Sequence, residues 1–408
     1  MTLLTEPLPK SPESLAAPCP VRPLRAMFIV TSLPVGGAES LLASLVRGLD
    51  RCRVVPEICC LKSPGPWGEV LSQEIPVHSG PLRGKYDAWV LRRLASLLVE
   101  REIDAVVTVG AGDKMFWGRL AARLARVPVV VSALHSTGWP DGIGRLNRLL
   151  TPLTDAFIAV ARRHAAHLIQ NERLPADKVR VIPNGVDTDR FRPNAEARRA
   201  KRHELGIPPA APVCGIVAAL RPEKNHEMFL HVAHRVLQTA PEARFVIVGD
   251  GPVRERLEAL AAELHVAGAV TLLGCRSDVS ELLGAFDVVA LTSHNEANPV
   301  SLLEAAACAL PVVATRVGSI EESVLHERTG ILVPPGDVQQ FAAQLVRLFR
   351  SPGERLRMGR AGREHVARQW SLAAMISGYE SLLSDLYNRH ALSGDRRAPR
   401  ARRGPEAS

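Results

Sequence analysis

Apolar runs of four to seven residues recur along the chain, separated by stretches in which apolar residues return every three or four positions. The runs predict strands buried on both faces, and the spaced stretches predict amphipathic helices packed over them. In the first half, strands are expected near 26–32, 54–61, 77, 103–109, 127–133, 156–160 and 179–183, with helices near 38–49, 67–73, 86–101 and 115–126. A second series begins at Val213, with strands near 213–218, 245–249, 270–273, 288–291, 311–315 and 331–333. Helices near 227–238, 253–265, 278–283, 300–308, 337–349 and 354–369 intervene or follow. Strand and helix alternating in this way predict an α/β chain with two doubly wound parallel sheets.

The string Val181 to Phe191, VIPNGVDTDRF, closes the first series with an Asn-Gly turn signal, and Pro-rich charged sequence without a strand follows. We therefore divide the chain into a mobile tail (1–24), a first domain (25–190), a linker (191–212) and a second domain (213–370). A last amphipathic helix (371–388) and a disordered basic tail (389–408) complete it.

Composition narrows the function classes. The 408 residues are enough for two ordinary cores, and 46% are hydrophobic. No apolar run is long enough to span a bilayer, and the first 24 residues lack a basic start and apolar centre, so a cytoplasmic protein is expected. The seven cysteines form no C-x-x-C pair, which fits reduced core thiols. A net charge of +9 points to an anionic partner. With 4% aromatic residues and no aromatic-studded basic motif, nucleic acid is not that partner. A phosphate-bearing ligand, or peripheral contact of the basic tail with an anionic membrane, remains.

Candidate chemistry sits where strands end. Gly36 and Gly37 lie between a strand and a helix, a layout that admits a phosphate but equally serves a plain turn. His135 follows a strand directly, in a position open to a ligand or to a structural hydrogen bond. Arg221 and Lys224 follow another strand and open a helix, and Gly251 lies in a Gly-Asp-Gly-Pro turn. In Ser293 to Thr315, SHNEANPVSLLEAAACALPVVAT, Glu296 precedes a helix start at Pro299, and Glu304 lies within that helix. Free N–H groups and the dipole at such a start favour an anion beside Asn298, Pro299, Val300 and Ser301. No G-x-G-x-x-G is present, and the one D-x-D, Asp187 to Asp189, belongs to the hinge string, so no metal site is expected.

The Glu296 to Thr315 string resembles the E-x7-E signature of retaining, two-domain (GT-B) glycosyltransferases of family 4. Glu296, Pro299, Leu303, Glu304, Ala305, Ala307 and Pro311 to Thr315 fall on the pattern, whereas Ala297, Asn298 and Ala309 replace its Gly, aromatic and Gly. Gly36 to Glu39 is similar to the family's G-G-x-E loop, Val131 to Gly138 to its strand-then-His loop, and Val181 to Phe191 to its V-I-P-N-G-V-D-x-x-x-F string. Leu220 to Asn225 resembles G-R-L-x-P-E-K-G; on Pro222-Glu223-Lys224 the family's Arg falls at Ala219, so Arg221 must reach from two positions later.

The resemblance covers about 27–387. It implies two facing Rossmann-like domains with the last helix crossing back to the first, and a nucleotide-sugar donor, UDP- or GDP-linked, bound as substrate without further cofactor. It also implies a glycan or lipid-linked acceptor on the first domain. Lys224 and Arg221 would hold the diphosphate, Glu304 the ribose hydroxyls, Glu296 and His135 the sugar, and the loop at Cys275 the base. From their own places on neighbouring strand-end loops, Asp113, Lys114 and Trp139 are expected to border the acceptor, in no particular rank. The alternatives are a nicotinamide oxidoreductase, disfavoured by the missing glycine fingerprint, and a non-catalytic nucleotide-sugar-binding or scaffold protein of the same fold.

Overall fold

The computed structural model describes residues 22–84, 87–135 and 148–392. The expected N-terminal tail up to residue 21, the basic tail from Ser393 and the candidate Trp139 lie outside the described residues. Seven parallel strands, β1 (Leu24–Val30), β2 (Val54–Cys60), β3 (Val77–Ser79), β4 (Ala105–Val109), β5 (Val129–Leu134), β6 (Ala156–Ala159) and β7 (Val179–Val181), pair in the order β3-β2-β1-β4-β5-β6-β7. Six more, β8 (Val213–Val217), β9 (Arg244–Val248), β10 (Val270–Leu272), β11 (Val288–Leu291), β12 (Val312–Thr315) and β13 (Gly330–Val333), pair as β10-β9-β8-β11-β12-β13.

In each sheet the first strand sits centrally, and the winding reverses there: Phe28 lies between Ile58 of β2 and Val107 of β4, and Cys214 between Phe245 of β9 and Val288 of β11. A reversal leaves a crevice beyond the strands' carboxyl ends, because the following loops part to opposite faces. These two crevices fix where Gly36, Gly37, Lys224 and Glu296 emerge.

The expected linker (191–212) holds regular structure. Ala195–Glu204 forms a helix inside it, started by Asn194 Oδ1, which accepts from the N–H groups of Glu196 and Ala197 at 3.0 Å. Its many charges read as linker, but they are tethers: Arg198 and Arg202 each donate to Asp287 at 2.8 Å, binding the helix to the second sheet.

The last helix runs Leu372–Leu392, four residues past its expected end, and crosses back. Met375, Tyr379, Leu383 and Leu386 join the first domain's core, and Glu380 accepts from the Asp50 N–H at 2.7 Å and from Arg53 at 3.1 Å. Each buried Leu of this kind contributes about 1.5–3 kcal/mol, so the helix is part of that domain. The crossing explains the Asn-Gly pair. Val186 N–H donates to Trp370 O and Leu372 N–H to Val186 O, and a Cβ on Gly185 would stand 2.6 Å from Leu372 Cα. Close backbone approach, more than turn geometry, demands glycine there.

Candidate active site

On the second domain, the turn after β8 and the loop after β11 build one face. Pro222–Lys224 form a single 3-10 turn, and Asn225 in left-handed conformation (φ 50) starts the next helix by accepting from Met228 N–H. Thr292 Oγ1 donates to the carbonyls of Lys224 and Asn225 at 3.2 and 2.9 Å, locking turn to loop. Lys224 Nζ thereby meets Glu296 Oε1 at 2.6 Å, and Ser293 Oγ donates to the same oxygen at 2.7 Å. Glu296 is buried, and a buried carboxylate demands such partners. Gly318 (φ 53) lets the chain pass behind it: a Cβ there would fall 1.7 Å from Glu296 O, and Ser319 N–H donates to that same carbonyl.

On the first domain, His135 lies at the end of β5 with its ring bonded to Asn184. Burial, with the nearby His164 and Lys114, pushes its pKa down to about 4 against the opposing Asn184 bond, so the ring is neutral at neutral pH. Asn184 Nδ2 in turn donates to Asn298 O at 3.0 Å, and Asn298 Nδ2 donates to Val160 O at 3.0 Å. Val160 N–H donates to His164 Nδ1 at 3.2 Å. The two bonds of Asn298 join the domains across the cleft. Asn298 Oδ1 is buried without a hydrogen-bond partner beside the start of the Val300–Ala307 helix.

Gly36 and Gly37 open the Gly37–Gly48 helix, and a Cβ on Gly37 would meet Val300 Cβ at 3.9 Å. Two helix N-termini thus face one gap, which both dipoles make attractive to anions. Glu39 folds back on this loop. Burial raises its pKa, and its own backbone and the charges of Arg221 and Lys114 only partly oppose this. Pro299 occupies the cap itself, one residue before the helix, with Ser301 in the first turn.

Glu304, in the second turn, is not among these bonds. Burial pushes its pKa up to about 7, and the charge opposing that shift is Arg190 of the hinge string. Gly251 packs under Leu220 O, while Cys275 is exposed on the loop after β10, joined to β9 by Gly249 N–H donating to Gly274 O. Asp187 Oδ1 accepts from Asp189 and Arg190 N–H groups, so the D-x-D letters make a turn. A polar hollow of about 470 Å³ lies beside the hinge, lined among others by Asp189, Arg190, Asp278 and Glu281; it includes none of Lys224, Glu296 or His135.

The structure thus gathers Lys224, Glu296, Asn298, Val300 and His135 at one cleft, with Glu304 on the helix that Val300 opens and Cys275 on the loop after β10. Asn184, His164 and Arg190 join these residues without a motif of their own in the sequence to announce it. Asn184 and Arg190 act on residues more than a hundred positions away, and His164 bears on His135 from the helix after another strand, so no local spacing marks these roles. Among the described residues no three His, Cys, Asp or Glu side chains converge as a metal ion requires, and no helix is long and apolar enough to cross a membrane.

Comparison with known proteins bears on this cleft. The family models "Glycosyltransferase Family 4" and "Glycosyl transferases group 1" match residues 35–190 and 197–365. A D-inositol 3-phosphate glycosyltransferase of Segniliparus rotundus is 35% identical over 56% of the chain, a match spanning only 53% of that relative's length. The Escherichia coli UDP-Gal:alpha-D-GlcNAc-diphosphoundecaprenol alpha-1,3-galactosyltransferase is 30% identical over 70% of the chain and 78% of its own. The crystal structure of Anabaena HepE in complex with UDP-glucose superposes with a TM-score of 0.78 over 89% of the chain and all of its own, at 23% identity, which establishes a shared fold.

Proposed function

Because the chain belongs to the glycosyl transferases group 1 family, we propose that it is a retaining, metal-independent glycosyltransferase moving a hexose from a UDP- or GDP-sugar to a glycan or lipid-linked acceptor. The observation that carries this reading is the Lys224–Glu296 pair, held at the crevice of the second sheet opposite His135 and beside facing helix starts. A departing nucleoside diphosphate develops negative charge, and preorganised cations and helix dipoles are the groups that stabilise it. Lys224 and Arg221 supply the cations. Neutral His135 exchanges a hydrogen bond with a sugar hydroxyl without repelling positive charge at the anomeric carbon. Glu296 orders a second hydroxyl, and Glu304 accepts from the ribose diol.

The bond from anomeric carbon to phosphate oxygen breaks, a bond to the acceptor oxygen forms on the same face, and the acceptor proton passes to the leaving phosphate. No side chain is needed as base. The first domain's excess of basic residues suits a phosphorylated or lipid-linked acceptor, and the E. coli relative's name describes transfer to a diphosphoundecaprenol carrier. We place the enzyme in surface polysaccharide or glycolipid synthesis, cytoplasmic or peripheral at the membrane's inner face.

Calorimetry against UDP-, GDP- and ADP-sugars in EDTA, followed by NMR of the product's anomeric carbon, tests the reading. Binding of one donor and retained configuration are expected. Absence of binding, or transfer that EDTA abolishes, refutes it. Ala219, Ala297 and Asn298, which depart from the family pattern, favour a second reading as a nucleotide-sugar-binding scaffold; binding without transfer or donor hydrolysis would establish that instead.

A further inference from the structure

The Arg162–Gln170 helix follows β6 in the first domain and carries His164, yet it has no cap of its own. Its cap residue, Ala161, is extended (φ −162, ψ 161) and offers no side-chain acceptor, and no acid stands in its first turn. Such a terminus leaves backbone N–H groups unpaired. Here the second domain pairs them. Glu322 Oε2 accepts from Arg162 N–H at 2.9 Å and Oε1 from Arg163 N–H at 2.6 Å, from a residue about 160 positions away. Its neighbour Glu321 pairs with the Arg163 side chain as well as with Arg316.

The two ends of this contact return to the same loop. From Glu322, the short Ile320–Ser323 helix leads back through Ser319, whose N–H donates to Glu296 O, past Gly318, where any side chain would strike that carbonyl. From the capped helix, Val160 leads to Asn298 through the 3.0 Å bond from Asn298 Nδ2. Glu296 and Asn298 are two residues apart. The loop bearing Glu296 is therefore tied to the first domain twice, directly through Asn298 and, by way of Ser319, through Glu322.

We propose that Glu322 is a positioning residue: it caps the Arg162–Gln170 helix across the cleft, holds the two domains closed, and so fixes the Glu296–Asn298 loop against His135. A carboxylate suits this role, since it presents two acceptors to two adjacent N–H groups and complements the positive end of the dipole. The closure itself stands independently of the proposed activity; its bearing on sugar transfer rests on that reading.

The test uses the full chain with Glu322→Ala, Glu322→Gln and the double variant Ala161→Ser/Glu322→Ala, in which serine restores a cap within the helix's own domain. Hydrogen exchange of peptides spanning 160–168 and small-angle scattering are read without ligand, and melting checks that each variant folds. Expected for Glu322→Ala is exchange faster by ~10-fold or more at Arg162 and Arg163, with a larger radius of gyration. Glu322→Gln, with one acceptor oxygen in place of two, should fall between. The double variant should recover slow exchange yet stay expanded. Unchanged exchange, unchanged dimensions, or a double variant as compact as the natural chain would each overturn the proposal, the last by reducing Glu322 to a local cap. Titration with UDP-glucose and GDP-mannose adds a separate reading. Weaker binding in Glu322→Ala extends the role to the donor; binding of neither sugar by the natural chain counts against the proposed donors alone.

Discussion

Glu304 is a carboxyl whose environment conflicts with the task proposed for it. A ribose diol donates two hydrogen bonds, so its partner must be ionised, whereas burial holds Glu304 protonated up to about pH 7. Donor binding has to draw from the ionised fraction, and the apparent affinity scales with that fraction. For a pKa of about 7 the ionised share is roughly 90% at pH 8 and 3% at pH 5.5, so donor affinity should weaken about 30-fold on acidification, or about 2 kcal/mol. His135 and His226, both pushed down to about 4 chiefly by burial, titrate below this window and do not confuse it. The assay is calorimetric titration with an intact nucleotide-sugar between pH 5.5 and 8; a free diphosphate is unsuitable because its terminal phosphate titrates near 6. Glu304→Gln should bind more weakly at pH 8 and show a flat profile. A flat profile in the natural chain, or an equal slope in Glu304→Gln, would refute the reasoning. The same group leaves a mark on stability. Its pKa in the fold lies above the unfolded value of 4.5, so the folded chain holds the extra proton between the two, and stability should fall as pH rises from 4.5 through 7, by at most roughly 3 kcal/mol.

Replacing Lys224 by Ala should lower kcat/KM by about 10²–10³-fold, as expected for loss of a preorganised charge at a leaving group; Lys224→Arg should retain more, and equal activity in all three chains would remove Lys224 from the chemistry. Ala309→Gly should stabilise the fold by about 0.5–1 kcal/mol, read by denaturant melting, because Ala309 holds a left-handed φ of 56 just past the Val300–Ala307 helix, where alanine is strained. Glu57 predicts acid sensitivity of the opposite sign to Glu304. Burial alone would raise its pKa, but His78, Arg101 and Arg25 reverse this and hold it at about 2, so the stability it contributes is present above pH 4.5 and lost toward pH 2, by up to roughly 3 kcal/mol. Glu57→Gln should flatten that limb of a melting-temperature profile.

The sheets were legible because a strand buried on both faces must be written mainly in apolar residues, as β4, β5 and β11 are in Val, Ala and Leu. Glu296 and Lys224 were legible for a different reason: each lies within a few residues of a strand end, where the topology of a doubly wound sheet puts ligands. The Ala195–Glu204 helix escaped notice because its faces are charged and its stability comes from Asp287 of the second sheet, invisible at short range. Asn184 and Glu322 escaped for the same reason in stronger form. Their partners belong to the other domain, so their identity encodes an arrangement of two folded bodies, which periodicity along one of them does not express.

The returning helix has a consequence for how the chain is made. The first sheet ends at Val181, but the pocket in its core stays open until Tyr379, Leu383 and Leu386 arrive about 200 residues later. At about 5–20 residues per second of synthesis, that is an interval of roughly 10–40 s. During it the nascent first domain shows an uncovered oily groove to chaperones and to its own second half, and a ribosome that stalls anywhere in the second domain leaves behind a first domain with a hole in it.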